Sequence, residues 1–224
     1  MEPNLVLAAW QFSGNASINN TLETGNTAVR PSSGQQRYDA RLQFLTLSGS
    51  ELTPRALSGT SLGVNVLNAA GGANGGLEGL AGNAWWETAI STTGHADIAV
   101  TWRMRSTNTG PRDWRLQYRV GSAGGWNNVG GTIVLPLNPE ASTLNAPEQR
   151  RFLPSSAEGH ERLYLRWLIT SNVSANGGTI AATGTHQIND LVILFNAEPF
   201  ENDYDELIGM DILAIVKLAL GTEN

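Results

Sequence analysis

The sequence predicts an all-β protein, an antiparallel β-sandwich followed by a short C-terminal α-helix. Three observations carry this reading. Several segments alternate apolar and polar side chains with period two, the pattern of strands that bury one face. Clusters of Gly, Asn, Pro and Ser separate them, and these residues favour turns for definable backbone reasons. The final ~22 residues then switch to an apolar run behind a group of acids, where a helix N-terminus favours negative charge. A chain of 224 residues suffices for one large sandwich and would be crowded as two domains. We therefore divide it into a sandwich over residues 1–197 and a linker with terminal helix over 198–224.

The strands are expected in the following order. Leu5 to Phe12, Arg41 to Leu47 and Trp85 to Ser91 come first. In Asp97 to Arg105, Ile98, Val100, Trp102 and Met104 share one face, opposite Arg103 and Arg105. In Asp113 to Val120, Trp114, Leu116, Tyr118 and Val120 oppose Arg115, Gln117 and Arg119. The turn-rich stretch Ser106 to Arg112 between them predicts a hairpin. Val129 to Leu135 follows. Glu161 to Thr170 places Leu163, Leu165, Trp167 and Ile169 on one face and Tyr164, Arg166 and Leu168 on the other. Gln187 to Phe195 is apolar enough for a central strand buried on both faces. Ser48 to Asn83, rich in Gly, Ala, Asn and Ser, has little to bury and is expected as a long irregular excursion. At the C-terminus, the acids of Asn202 to Glu206 precede the run Leu207 to Leu220, and Gly221 suits the position just past a helix end. Apolar side chains surround nearly the whole helix, so it needs a partner surface.

Composition removes several function classes. There is no cysteine, hence no disulfide, thiolate metal site or cysteine nucleophile. The net charge is -6 and charged residues make up 15% of the chain, a poor basis for binding nucleic acid by bulk electrostatics. No apolar run approaches the ~20 residues of a membrane span. Met1 to Asn4 lacks a basic region and Leu5 to Trp10 is too short for a signal-peptide core, so no signal peptide is expected within this chain. The three histidines, His95, His160 and His186, form no HExxH motif and read as solvated loop or strand-end residues. No GxSxG turn or phosphate-binding glycine loop occurs. Acids such as Glu51, Glu78, Glu87, Asp97 and Glu161 could pair for glycoside hydrolysis, but nothing selects two of them.

Two constellations remain as binding candidates. Arg103, Arg105, Arg115, Gln117, Arg119 and Arg166 all lie opposite apolar stripes. If their strands share a sheet, they form a platform of planar donors for carboxylates, sulfates or sugar hydroxyls. The ordinary alternative is a solvent face of cross-strand ion pairs. Seven tryptophans form the second group. Trp102, Trp114 and Trp167 are in the apolar register and are expected in the core. Trp85 and Trp86 must point to opposite sides of a strand. Trp86 and Trp126, the latter beside Gly124 and Gly125, are taken as candidates to stack on sugar rings; the alternative is a lid over the sandwich end.

Trp85 to His95 (WWETAISTTGH), Arg105 to Tyr118, and Ser174 to Val192 with its GTHQIND segment at Gly184 to Asp190 resemble a jelly-roll-like accessory module. Such modules occur in large secreted bacterial proteins beside nuclease or nucleotidase, immunoglobulin-like and S-layer homology domains. The resemblance covers residues 5 to 196. It implies an extracellular, non-catalytic module that binds a glycan or cell-surface polymer, with a neighbouring domain as partner. Jelly-roll sugar-binding modules also carry structural calcium between first and last strands, which here points to Gln11, Asn189 and Asp190. Asp190 needs a partner if buried, and an arginine would serve equally. The tail resembles half of a dockerin in the pattern Asp211 to Gly221. However, Phe200 and Tyr204 stand at calcium-ligand positions, so the oxygen array is missing. A degenerate linker helix, or an element docking a neighbouring domain in a spacer or assembly module, is the reading that remains.

Overall fold

A computed structural model of the chain describes residues 6–11, 28–29, 31, 33–36, 40–47, 51–52, 54–56, 64–66, 81–137, 146–181 and 184–196. The described residues form two antiparallel sheets. The strands are β1 (Val6–Trp10), β2 (Ala28–Val29), β3 (Leu42–Thr46), β4 (Glu51–Leu52), β5 (Pro54–Ala56), β6 (Val64–Val66) and β7 (Ala84–Ile90). They continue with β8 (Ala99–Ser106), β9 (Asp113–Val120), β10 (Asn127–Asn128), β11 (Ile133–Val134), β12 (Glu148–Phe152), β13 (Leu163–Ile169) and β14 (His186–Leu194). One sheet has six strands in the order β12-β8-β14-β6-β5, with β1 also on β14. The other has eight, in the order β10-β9-β13-β7-β3-β2, with β11 on β9 and β4 on β3.

The period-two alternation has its expected consequence. Along β13 the burial alternates strictly, with Leu163, Leu165, Trp167 and Ile169 inside. Ala84, Trp86, Thr88 and Ile90 do the same along β7. From the six-stranded sheet, Val100, Trp102, Met104, Ile188, Leu191 and Ile193 meet them. Trp10, Trp86, Trp102, Trp114 and Trp167 are all fully buried. Each contributes roughly 150–250 Å² of burial, so these indoles are the main apolar mass between the sheets. Trp102 and Trp167, from opposite sheets, meet edge to face at 5.8 Å.

Two expectations are corrected. β8 and β9 do not form a hairpin: β8 pairs with β12 and β14, and β9 with β13, β10 and β11. Residues 107–112 instead cross from one sheet to the other. Alternation tells which face of a strand is apolar but not which sheet the strand joins. The crossing is pinned by backbone bonds, Thr107 N–H to Thr185 O and Arg112 N–H to Val173 O, both 3.0 Å. Here glycine is required by space: a Cβ on Gly110 would stand 2.0 Å from the Thr185 oxygen, and one on Gly184 2.1 Å from the Thr109 oxygen. Secondly, the Ser48 to Asn83 segment is not wholly irregular. It contains β4, which pairs with β3, and β5 and β6, which extend the six-stranded sheet beyond β14.

β14 is central, as predicted, and is buried on both faces in its first half. It is broken by a bulge: Asn189 pairs with Arg103 and Val192 with Thr101, leaving two residues opposite Trp102. Asp190 sits in this bulge at φ 47°, a left-handed conformation in which Asp is among the commoner non-glycine residues. The predicted helix and the boundary at residue 197 lie outside the described residues. Among the described residues, no helix is long and apolar enough to cross a membrane.

Candidate functional site

The outward side chains of the eight-stranded sheet form a continuous polar and aromatic platform. Its register lines up Asn128, Gln117, Arg166, Glu87 and Gln43 in one row across five strands, β10, β9, β13, β7 and β3. The row is hydrogen-bonded at one end. The Arg166 Nε–H donates to Gln117 Oε1 at 2.7 Å, and the Gln117 amide donates to Asn128 Oδ1 at 2.8 Å. On β7, Trp85 Nε1–H donates to Glu87 Oε2 at 2.8 Å.

Aromatic rings flank the row. Trp126, carried by the loop between β9 and β10, returns over the sheet. That turn is tight enough that a Cβ on Gly124 would lie 2.5 Å from the Val120 oxygen. Arg166 Cζ stands 4.1 Å from the Trp126 ring centre and 5.0 Å from that of Trp85. Arg119 Cζ stands 4.6 Å from both Trp126 and Tyr164. Such contacts hold guanidinium planes in place at modest cost in hydration. Arg115 lies one row away and donates to Thr132 Oγ1 at 2.8 Å.

Burial perturbs the charges at the centre of this face. It pushes Arg166 down to about 10, with Glu87 opposing the shift and the neighbouring Arg119 adding to it. Burial also raises the Glu87 carboxyl, against the Trp85 hydrogen bond and the Arg119 and Arg166 charges. In both groups burial sets the direction of the shift, and the neighbouring charges and hydrogen bond of the platform partly offset it. At the Arg162 end of β13, a cavity of about 400 Å³ is lined by Gln36, Ala89, His95, Glu161 and Arg162. Ala89 pairs with Tyr164, so this cavity continues the platform.

The sequence-predicted candidates divide between the two sheets. Arg115, Gln117, Arg119, Arg166 and Trp126 come together on the platform. Arg103 and Arg105 lie on the outer face of the six-stranded sheet, so the arginines do not merge into one surface. Arg103 pairs with Glu148 at 3.6 Å and Asp190 at 3.4 Å, and the nearly buried Arg105 donates to Gln187 at 3.3 Å. Trp86 is corrected: it is fully buried, and its Nε1–H donates to His186 Nε2 at 2.6 Å. Its neighbour Trp85 takes the outward place. The clue was Glu87, whose charge marks the outer face of β7 and therefore Trp85's side. Tyr164 and Asn128 are not among the sequence-predicted site residues, and Glu87 appears there only as one of five unselected acids, because nothing in a strand's own pattern says what lies beside it.

His186 is also corrected, since it is fully buried rather than solvated. Its ring lies 4.8 Å from Trp114, 5.3 Å from Phe44 and 5.7 Å from Trp86. Burial lowers its pKa to about 3, so it is neutral in the folded protein. His160 approaches the Ser156 carbonyl at 3.0 Å, and His95 packs on Phe195 at 4.3 Å. At the suggested calcium position, the pairing of Trp10 with Leu191 brings Gln11 beside Asp190. The Asn189 oxygen, however, accepts from the Asp190 N–H at 2.8 Å, and the Asp190 carboxylate faces Arg103. Calcium takes six to eight oxygens, and at this position one Asp190 carboxylate oxygen is already engaged by Arg103. Among the described residues, no three His, Cys, Asp or Glu side chains are grouped to hold a metal.

No protein family matches the chain, and no curated protein matches it. Among solved structures it is similar to a CBM4 structure, at 12% identity and a TM-score of 0.40, over 70% of this chain and 87% of that one. It is also similar to the CBM22-1 xylan-binding domain from Paenibacillus barcinonensis Xyn10C, at 10% identity and a TM-score of 0.37, over 70% and 87%. A third similar structure is the N-terminal cellulose-binding domain of Cellulomonas fimi β-1,4-glucanase C, at 13% identity and a TM-score of 0.35, over 70% and 90%. Identities this low carry no site residue from those domains to this chain.

Proposed function

We propose that this chain is a non-catalytic module that binds a polysaccharide on the outer face of its eight-stranded sheet, within a secreted or cell-surface protein. The observation that carries the reading is the platform itself: Trp85, Trp126 and Tyr164 beside a cross-strand row of Asn128, Gln117, Arg166 and Glu87. Sugar rings present an apolar face edged by hydroxyls. Aromatic planes beside fixed planar donors and acceptors suit both features.

Hydrolysis is disfavoured by geometry. Glycosidases flank the bond with two carboxyls roughly 5–10 Å apart. Among the described residues of this face Glu87 is central, Asp113 lies at the far end of β9, bound by Arg112 at 2.8 Å and by Ser171, and Glu161 lies at the cavity end of β13. Four residues along and two strands across place Asp113 about 16 Å from Glu87, and five along and one across place Glu161 about 17 Å from it. Docking through a terminal helix concerns residues outside those described, and no observation favours it over the platform.

The test is a binding panel of neutral and acidic polysaccharides, read by tryptophan fluorescence and calorimetry. Trp126→Ala should weaken binding at least about tenfold, the equivalent of ~1.4 kcal/mol, with the melting temperature nearly unchanged because the ring is outside the core. Folded protein that binds no polysaccharide, or an unaffected Trp126→Ala variant, overturns the reading.

A further inference from the structure

The platform's charge is out of balance with the rest of the protein. The chain carries net charge -6, yet Arg115, Arg119, Arg162 and Arg166 face outward around Glu87 on this sheet. Arg119 and Arg166 share one indole ring, Trp126, at 4.6 and 4.1 Å, so two like charges adjoin. Neither has a carboxylate within ion-pair distance among the described residues, in contrast to Arg103 and Arg112, which do. Arg119 also donates to no hydrogen-bond acceptor among the described residues, and its Nε is buried, although a guanidinium has five N–H donors. Among the described residues Glu87 is the one carboxylate acting on both, so adjoining, partly desolvated cations outnumber it, and that excess is unfavourable alone and becomes favourable when an anion arrives.

We propose that the ligand of this face is an acidic polysaccharide, its carboxylate or sulfate groups taken by Arg119 and Arg166 while sugar rings lie against Trp126 and Trp85. The inference rests on the polysaccharide reading above and narrows it to one class. Nucleic acid also offers anions, at one charge per ~1.7 Å of duplex, and a single-stranded control separates it from a polysaccharide.

The experiment titrates the full chain with polygalacturonate, hyaluronan and dextran sulfate in EDTA. Each is compared with its uncharged counterpart: methyl-esterified polygalacturonate, methyl-esterified hyaluronan and dextran. Single-stranded poly(dT) is run alongside. The expected result is binding to at least one anionic polymer, at least tenfold weaker for its neutral counterpart and weakened by salt. Carboxylate and sulfate are separated by which polymer binds. Arg119→Gln and Arg166→Lys should each lose about tenfold or more while keeping a native melting profile; the lysine keeps charge but not the planar stack. Equal or tighter binding of the neutral polymers overturns the acidic inference and leaves the polysaccharide reading standing. So does charged-polymer binding that is unaltered in both variants. Poly(dT) binding as tightly as the polymers also overturns the acidic inference. No binding to any polysaccharide, charged or neutral, overturns both.

Discussion

Replacing His186 should change how the protein responds to acid more than how it folds at neutral pH. His186 is fully enclosed by Phe44, Trp86 and Trp114, and burial lowers its pKa to about 3. In the unfolded chain the ring titrates near 6.5. Below that pH the unfolded state binds a proton that the folded state refuses, so stability rises with pH from about 3 to 6.5 and is lost as pH falls through that window. Between pH 7 and pH 5 the loss from this one ring is about 2 kcal/mol, at ~1.4 kcal/mol per pH unit below 6.5. That is a large share of the ~5–15 kcal/mol typical of a domain. His186→Gln keeps an acceptor for the Trp86 N–H and removes the titration. Urea unfolding followed by tryptophan fluorescence at both pH values measures each loss. Glu87, Asp113 and Asp190 titrate in both proteins and drop out of the comparison. The wild type should lose about 2 kcal/mol more than the variant on going to pH 5. Equal losses would refute a neutral buried His186.

Two further substitutions probe the frame. Arg103→Gln removes the guanidinium 3.4 Å from Asp190 in the β14 bulge, and should cost about 1 kcal/mol at pH 7. Burial pushes the Asp190 carboxyl upward, so the cost should shrink as falling pH protonates that carboxyl; denaturation across an acid pH series checks this, and polysaccharide binding should be unchanged. Gly184→Ala places a Cβ 2.1 Å from the Thr109 oxygen, forcing the sheet crossing to move, and should cost at least ~2 kcal/mol. A thermal melt indistinguishable from wild type would contradict the close approach.

How legible the site was depended on the kind of information each residue carried. Arg115, Gln117, Arg119 and Arg166 were identified because alternation opposite Trp114, Leu116 and Trp167 places them outward, and that follows from strand geometry alone. Arg103 and Arg105 were grouped with them by the same logic, which cannot see that β8 belongs to the other sheet. Trp86 was misassigned between two adjacent tryptophans, where only Glu87's charge distinguished the faces. His186 looked like a polar strand-end residue, and its burial comes from Phe44, Trp86 and Trp114, all distant in the chain.

The pattern of residues along the chain was enough for the all-β class, the alternating strands, the core places of Trp102, Trp114 and Trp167 and the outward direction of Arg103, Arg105, Arg115, Arg119 and Arg166. These are local properties: side-chain period, turn chemistry and the free energy of hiding apolar surface act over a few neighbouring residues. Which strands share a sheet emerges from the packed fold, and with it that Arg119 and Arg166 meet over Trp126 while Arg103 pairs with Asp190. Strand pairing joins residues far apart in sequence, and a strand's own pattern is equally compatible with either sheet, so its neighbours are set by the packing of the whole core.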